Sequence, residues 1–260
     1  MSWKVLITAR TLNEVGGSAM KLLRDQSCEA IIPPKFGPHP AETLQPLLEG
    51  VDAVLASMDK FTAEVLSSKA ASDLKIISRW GVGYDAIDVA AATAQGIVVA
   101  YTPGFLNETV ADFAFALLLA LARRIHLGHL SMAAGQWQAA WGNDVFGKTL
   151  GLLGCGRIGQ AVARRAQGFN MRLLAYDVAP SAEAEKLGVK FVSLQELLAE
   201  SAVALVEQEK AVAELVDHIQ IGPAVIVGVE PDGGAAGALA AFGAAGGGHV
   251  LEAPVAEIAP

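Results

Sequence analysis

Three glycines and one acid have the types and the spacing to hold a dinucleotide. Gly154-x-Gly156-x-x-Gly159 follows the apolar run Leu150, Leu152, Leu153 and opens a helical pattern read over Gln160 to Gly168. Gly154 permits the tight turn, Gly156 lets the backbone approach a pyrophosphate, and Gly159 lets the helix close on the strand. N–H groups at the helix amino terminus, those of Arg157 and Ile158 among them, would donate to the anion. Asp177 ends the next apolar run, 18 residues past Gly159, close to the roughly 20 expected of a ribose-binding carboxylate. A carboxylate there accepts hydrogen bonds from ribose hydroxyls and repels a 2′-phosphate, which selects NAD over NADP. Arg172 lies inside the run and Ala179 follows the acid, so no adjacent cation opposes that choice. The same text without a ligand would be a glycine-rich strand-to-helix turn; the strand before, the helix after and the acid in place favour the cofactor. Cys155 reads as a small filler, and Arg157 either adds charge at the phosphates or is solvated.

A second glycine pair, Gly81-Val82-Gly83, follows the apolar run Leu74 to Ile77. It therefore falls at the carboxyl end of a strand, where open α/β sheets bind ligands, although a plain tight turn would look alike. Acid–base candidates are sparse. His249 and Glu252 are spaced to touch on a helix or loop, as a working pair or as a surface histidine beside a solvated glutamate. His218 sits in an acidic helical stretch, and His126 and His129 follow a long helix as surface or subunit-contact residues. The cysteines, Cys28 and Cys155, have no metal or disulfide spacing. No metal site is expected, and no catalytic residue is assigned.

The elements that must position these residues alternate in the α/β manner. Val5-Leu6-Ile7, Ala30-Ile31-Ile32, Ala53-Val54-Leu55, Leu74 to Ile77 and Ile97-Val98-Val99 read as buried strands, with helices near Ala19 to Arg24, Thr62 to Leu66 and Val89 to Gln95. Such alternation predicts doubly wound parallel sheets. Pro103-Gly104 interrupts it, and Asn107 to Arg124 reads as one long helix. The division expected is a lobe over residues 1–101 and a cofactor lobe over 102–260, with an atypical tail from about residue 202. Within the tail, Ala202 to Val206 and Ala224 to Val229 read as strands with a helix over Lys210 to His218 between them. Gly233 to Gly248, nearly all Gly and Ala, reads as a linker or a weakly packed helix, because it has little side chain to pack and much backbone entropy to lose.

Composition narrows the partners. The 260 residues carry a net charge of −8, and residues 201–260 hold eight acids against the single base Lys210. An acidic chain without a basic stripe argues against nucleic acid. Hydrophobic content is 53% and mean hydropathy +0.41, yet the most apolar segment, Val110 to Ala122, falls short of the about 20 residues needed to span a bilayer. The amino terminus passes directly into a strand, so no secretory signal is read there. Together with the cysteine usage this suits a cytoplasmic location without membrane attachment.

Longer stretches carry a family resemblance. Arg79-Trp-Gly-Val-Gly-Tyr-Asp85, Gly96-Ile-Val-Val, Thr102-Pro-Gly104, Asn107-Glu-Thr-Val-Ala-Asp112, Gly147 to Gly159 and Leu194-Gln-Glu-Leu-Leu198 occur in the order of the NAD-dependent D-isomer-specific 2-hydroxyacid dehydrogenases. The chain resembles the phosphoglycerate dehydrogenase-like branch of that family over about residues 1–201. The resemblance implies a flavodoxin-like substrate lobe, a Rossmann NAD lobe and an active cleft between them. It implies that the amides of Gly81, Val82 and Gly83 hold the carboxylate of a small 2-hydroxy or 2-oxo acid, with Val82 approaching the cofactor. The helix from Asn107 to Arg124 would support a homodimer. The family's substrate-binding arginine has no counterpart: the nearest text, Val229-Glu-Pro-Asp-Gly-Gly234, has Asp232 in its place, and no arginine follows Arg172. The family's histidine, which follows a glutamate in a Pro-His context, is not matched by His249 and Glu252. A binding protein that keeps NAD without turnover is the alternative reading.

Overall fold

The computed structural model describes residues 2–201 together with residues 203–206, 225–228 and 239–241. The chain divides into two compact units, the first ending at Phe105 and the second beginning at Leu106.

The first unit holds strands β1 (Lys4–Ile7), β2 (Glu29–Ile31), β3 (Ala53–Ala56), β4 (Ile76–Arg79) and β5 (Val98–Ala100), with helices α1 (Arg10–Val15), α2 (Gly17–Asp25), α3 (Ala41–Leu44), α4 (Ala63–Leu66) and α5 (Val89–Ala94). The strands form one sheet in the order β2-β1-β3-β4-β5, parallel throughout. Leu6, Val54 and Ile77 from three of the strands are fully buried with Leu44, Leu48 and Phe61 in one core. Burial on both faces explains the short, continuous apolar runs. Thr62 caps α4 through Val65 N–H, and Asp88 caps α5 through Ala91 N–H. From β1 the chain first adds β2 on one side and then β3 on the other, so the topological switch lies between the carboxyl ends of β1 and β3.

The second unit contains α6 (Asn107–Ala122), α7 (Ile125–Ala133), β6 (Thr149–Leu153), α8 (Arg157–Gln167), β7 (Arg172–Tyr176), α9 (Ala182–Lys186), β8 (Val189–Phe191), α10 (Leu194–Glu200), β9 (Val203–Val206), β10 (Val225–Gly228) and β11 (Leu239–Ala241). Its sheet has the order β11-β10-β9-β6-β7-β8. All described pairs are parallel except β10 with β11. Leu150 and Leu152 of β6 join Leu118 of α6 and Ala161 and Ala163 of α8 in the core. Small residues on α8 bring it close to α6, and charge fixes the contact: Arg165 reaches Glu108 at 2.7 Å and Asp112 at 2.6 Å, while Arg164 reaches Glu108 at 2.5 Å. At Gly151 of β6 a Cβ would overlap Ser201 Oγ and come within 3.0 Å of Leu197, so α10 packs directly on the bare backbone.

The elements differ from the sequence reading at several points. Helix α8 begins at Arg157 rather than Gln160 because Gly156 itself serves as the N-cap, which places Gly159 inside the first turn. The long helix stops at Ala122, and Arg124, in the left-handed region at φ 54°, redirects the chain into α7. Within the Gly- and Ala-rich stretch, residues 239–241 form a strand, not a linker or helix. A sheet edge offers backbone donors and acceptors that need no side chain to satisfy. The helix read over Lys210 to His218 lies outside the described residues, as do His218, Asp232, His249 and Glu252. No helix among the described residues is long and apolar enough to cross a membrane.

Candidate functional site

The turn from β6 to α8 brings Gly154, Gly156, Arg157, Ile158, Gly159 and Asp177 together. Gly154 has φ +93°, a conformation that favours glycine, and its N–H donates to Tyr176 O at 2.9 Å. That bond ties the turn to the end of β7, one residue before the acid. Asp177 Oδ2 accepts the Cys155 N–H at 2.7 Å, and Oδ1 accepts the Ala179 N–H at 2.9 Å. Each carboxylate oxygen can accept more than one hydrogen bond, so capacity for ribose hydroxyls remains on both. A Cβ on Gly159 would lie 2.6 Å from Gly154 O, backbone against helix, which explains why this position is bare.

The helix end is open to an anion. Gly156, exposed, caps α8 without a side-chain hydrogen bond, so no side chain of its own competes for the N–H groups of the first turn. Ile158 points into the core while Arg157 is exposed and makes no ion pair among the described residues. Gln160 Nε2 donates to Cys155 O at 3.3 Å and steadies the middle of the turn. Positive φ at the turn, a bare helix start, a glycine against the preceding carbonyl and a fixed acid at the next strand end together fit the pyrophosphate and ribose of NAD.

Gly81, Val82 and Gly83 belong to the first unit, on the loop leaving β4. Gly81 has φ +152°. Its carbonyl accepts the N–H of Thr102 at 3.0 Å and the Thr102 hydroxyl at 2.9 Å. The expectation that all three amides face a carboxylate needs correcting at Gly81, whose N–H donates to Arg79 O at 3.0 Å and is engaged within the turn. The Val82 N–H has no hydrogen-bond partner among the described residues. Trp80 and Tyr84, both exposed, flank the loop, and Tyr84 packs on Tyr101 with ring centroids 5.1 Å apart.

A buried polar group at the switch point is absent from the sequence reading. Asp59, fully buried, accepts the Thr8 hydroxyl, the Ser57 N–H at 3.0 Å and the His39 N–H at 2.8 Å. His39 is buried too, and its Nε2 has no partner among the described residues. Thr8, His39, Asp59 and Arg79 are the buried polar or charged side chains described in this unit, and all lie on segments that follow or end a strand. A short polar residue placed directly after a buried run, as Thr8 is after Ile7, was the available signal.

Known proteins resemble this chain in sequence and in fold. Residues 115–212 match the family model described as D-isomer specific 2-hydroxyacid dehydrogenase, NAD binding domain. A glyoxylate reductase of Thermococcus kodakarensis is 43% identical over 209 residues, covering 76% of this chain and 61% of its own. A glyoxylate reductase of Korarchaeum cryptofilum is 51% identical over 158 residues, covering 58% of this chain and 47% of its own. The fold is also that of D-lactate dehydrogenase from Aquifex aeolicus, solved with NAD and lactic acid, at 27% identity and TM-score 0.66 over 79% of this chain and 60% of that one. The chain belongs to the D-isomer-specific 2-hydroxyacid dehydrogenase family. It spans about half to three fifths of the length of the two curated relatives, at 47% and 61%. As a member of the 2-hydroxyacid dehydrogenases, the chain has NAD as its cofactor.

Proposed function

We propose that the chain is an NAD-dependent oxidoreductase that moves a hydride between nicotinamide and C2 of a small 2-hydroxy or 2-oxo acid, in the manner of the phosphoglycerate dehydrogenase-like branch. Glyoxylate is the first acid to try, since the relatives at 43% and 51% identity carry the name glyoxylate reductase. The observation that carries the proposal is the hydrogen bond from Cys155 to Asp177, which sets turn and acid in one arrangement. In this reading residues 1–101 form the substrate lobe and 102–260 the cofactor lobe. The N–H groups of Arg157 and Ile158 hold the pyrophosphate and Asp177 holds the ribose. The amides of Val82 and Gly83 hold the substrate carboxylate, with Gly81 shaping the loop. NAD, when bound, supplies or accepts the hydride. The residue that gives or takes the proton at the C2 oxygen is not assigned.

We further propose a cytoplasmic homodimer. Support comes from α7, which has no buried residue although its sequence is apolar, and from Trp137 and Trp141, which are 89% and 84% exposed. The inner face of α6, by contrast, is already occupied by α8. We therefore assign the proposed dimer surface to α7 and the segment after it, continuous with the end of α6.

A second reading, an NAD-binding protein without turnover, is favoured by the absence of any arginine after Arg172. One experiment separates the two. NADH is titrated by fluorescence, and loss of its absorbance is followed with glyoxylate, hydroxypyruvate, pyruvate and phosphohydroxypyruvate. Turnover with any of them supports the dehydrogenase; NADH binding without turnover supports the second reading; no NADH binding overturns both.

A further inference from the structure

We propose that Arg79 is the positioning residue of the carboxylate-binding loop, an inference that rests on the assignment of residues 81–83 to the substrate. Arg79 ends β4 and is 4% exposed, a burial that a guanidinium accepts only where its donors are met. One of them is met by the loop itself: Nη1 donates to Trp80 O. The rest of the group occupies the space beneath Gly81. A Cβ built on Gly81 would lie 2.8 Å from Nη1, 2.9 Å from Cζ and 3.0 Å from Nη2. Gly81 at φ +152° is thus a glycine for two reasons, its backbone angle and the guanidinium below it.

The remaining atoms of Gly81 are fixed from the other side. Its N–H is held by Arg79 O, and its carbonyl takes both Thr102 donors. Once the peptide on each side of Gly81 is fixed, the direction of the next amide, Val82 N–H, follows from covalent geometry. Donors aimed at a carboxylate lose most of their effect when they are misdirected, and a displacement of about 1 Å can cost about a hundredfold. A planar, rigid fork of donors fills this place as a lysine ammonium would not. The buried cation therefore acts on the substrate through the loop, without touching it.

The test uses the whole chain and oxalate as the carboxylate probe, titrated calorimetrically with NADH titrated in parallel. Arg79→Lys and Arg79→Ala are expected to weaken oxalate binding at least tenfold while NADH affinity stays at the wild-type value, a split that a general loss of stability would not produce. Guanidinium ion should restore oxalate binding to Arg79→Ala, and ammonium ion should not. Unchanged oxalate affinity in both variants, with the wild-type chain binding, overturns the role of Arg79 and leaves the loop assignment standing. Failure of the wild-type chain to bind oxalate overturns the loop assignment and this inference with it. A readout in the unmodified protein removes any dependence on variant folding: oxalate should shift the amide resonance of Val82 and the guanidinium resonances of Arg79 together, and a shift of Val82 alone overturns the proposal.

Discussion

The N–H of Cys155 donates to Asp177 Oδ2 across 2.7 Å, so the acid proposed for the ribose also braces the loop proposed for the pyrophosphate. Asp177→Ala should therefore weaken NADH binding by about 1.5–3 kcal/mol, the range for hydrogen bonds to a charged group. Discrimination against NADPH should narrow in the same variant, since the repelling charge is gone. Fluorescence titration with both nucleotides measures the two effects, and an unchanged NADH affinity would place the ribose elsewhere.

Gly159→Ala tests the turn by sterics alone. The new methyl would meet Gly154 O at 2.6 Å, and neither atom is at the end of a flexible side chain. Helix α8 must shift away from β6, at a cost of about 1–3 kcal/mol, as in other overpacked sites. Thermal denaturation should report a lower midpoint together with weaker NADH binding.

Removing the Asp59 carboxylate leaves the Thr8 hydroxyl, the Ser57 N–H and the His39 N–H without their acceptor in a buried place. Asp59→Ala should destabilise the chain by several kcal/mol, given roughly 1–3 kcal/mol for each unsatisfied buried group. Asp59→Asn, which keeps an acceptor oxygen, should cost less. Denaturant unfolding of the two variants compares them directly.

The contact between α6 and α8 predicts a pH dependence. Hydrogen bonds from Arg165, and then from Arg164, hold the Glu108 carboxyl below its ordinary value. A carboxylate with a lowered pKa in the folded state contributes stability that is fully present above the unfolded-state pKa, about 4.3 for glutamate. That contribution is lost as pH falls through the lower folded value. Glu108→Gln should accordingly lower stability at neutral pH, by little because the pair is exposed and screened, and converge with the wild-type chain as pH falls through the folded value, so that the acid limb of the stability curve flattens. Melting temperatures recorded from pH 7 down to pH 3 test the slope.

The proposed dimer gives a test in solution. Leu130→Glu on α7, where no residue is buried, should convert a dimer into a monomer without lowering NADH affinity. Light scattering coupled to size exclusion measures it, and an unaltered mass would move the interface off this helix.

The glycine turn was legible in the sequence because each glycine answers a local demand, whether a positive φ, a bare helix start or a close approach, and because Asp177 follows at a fixed distance. The parallel strands were legible from short apolar runs. Helix α1 was not: Arg10–Val15 has only Leu12 buried and carries no periodic apolar face. Nor was the Asp59 group, whose partners Thr8 and His39 lie 51 and 20 residues away and meet it only when the ends of β1 and β3 and the loop before α3 are brought together. The role of Arg79 was hidden for a related reason, since a sequence shows the glycine of a loop but not the side chain lying beneath it.

Ser201 occupies the space a side chain at Gly151 would need, at the foot of the last helix before β9. Anyone dissecting this protein by truncation meets a boundary there. A fragment stopped at Glu200 would uncover the middle of β6 and lose β9, which pairs with that same strand. The shortest piece of the second unit worth expressing therefore runs from Leu106 through Val206.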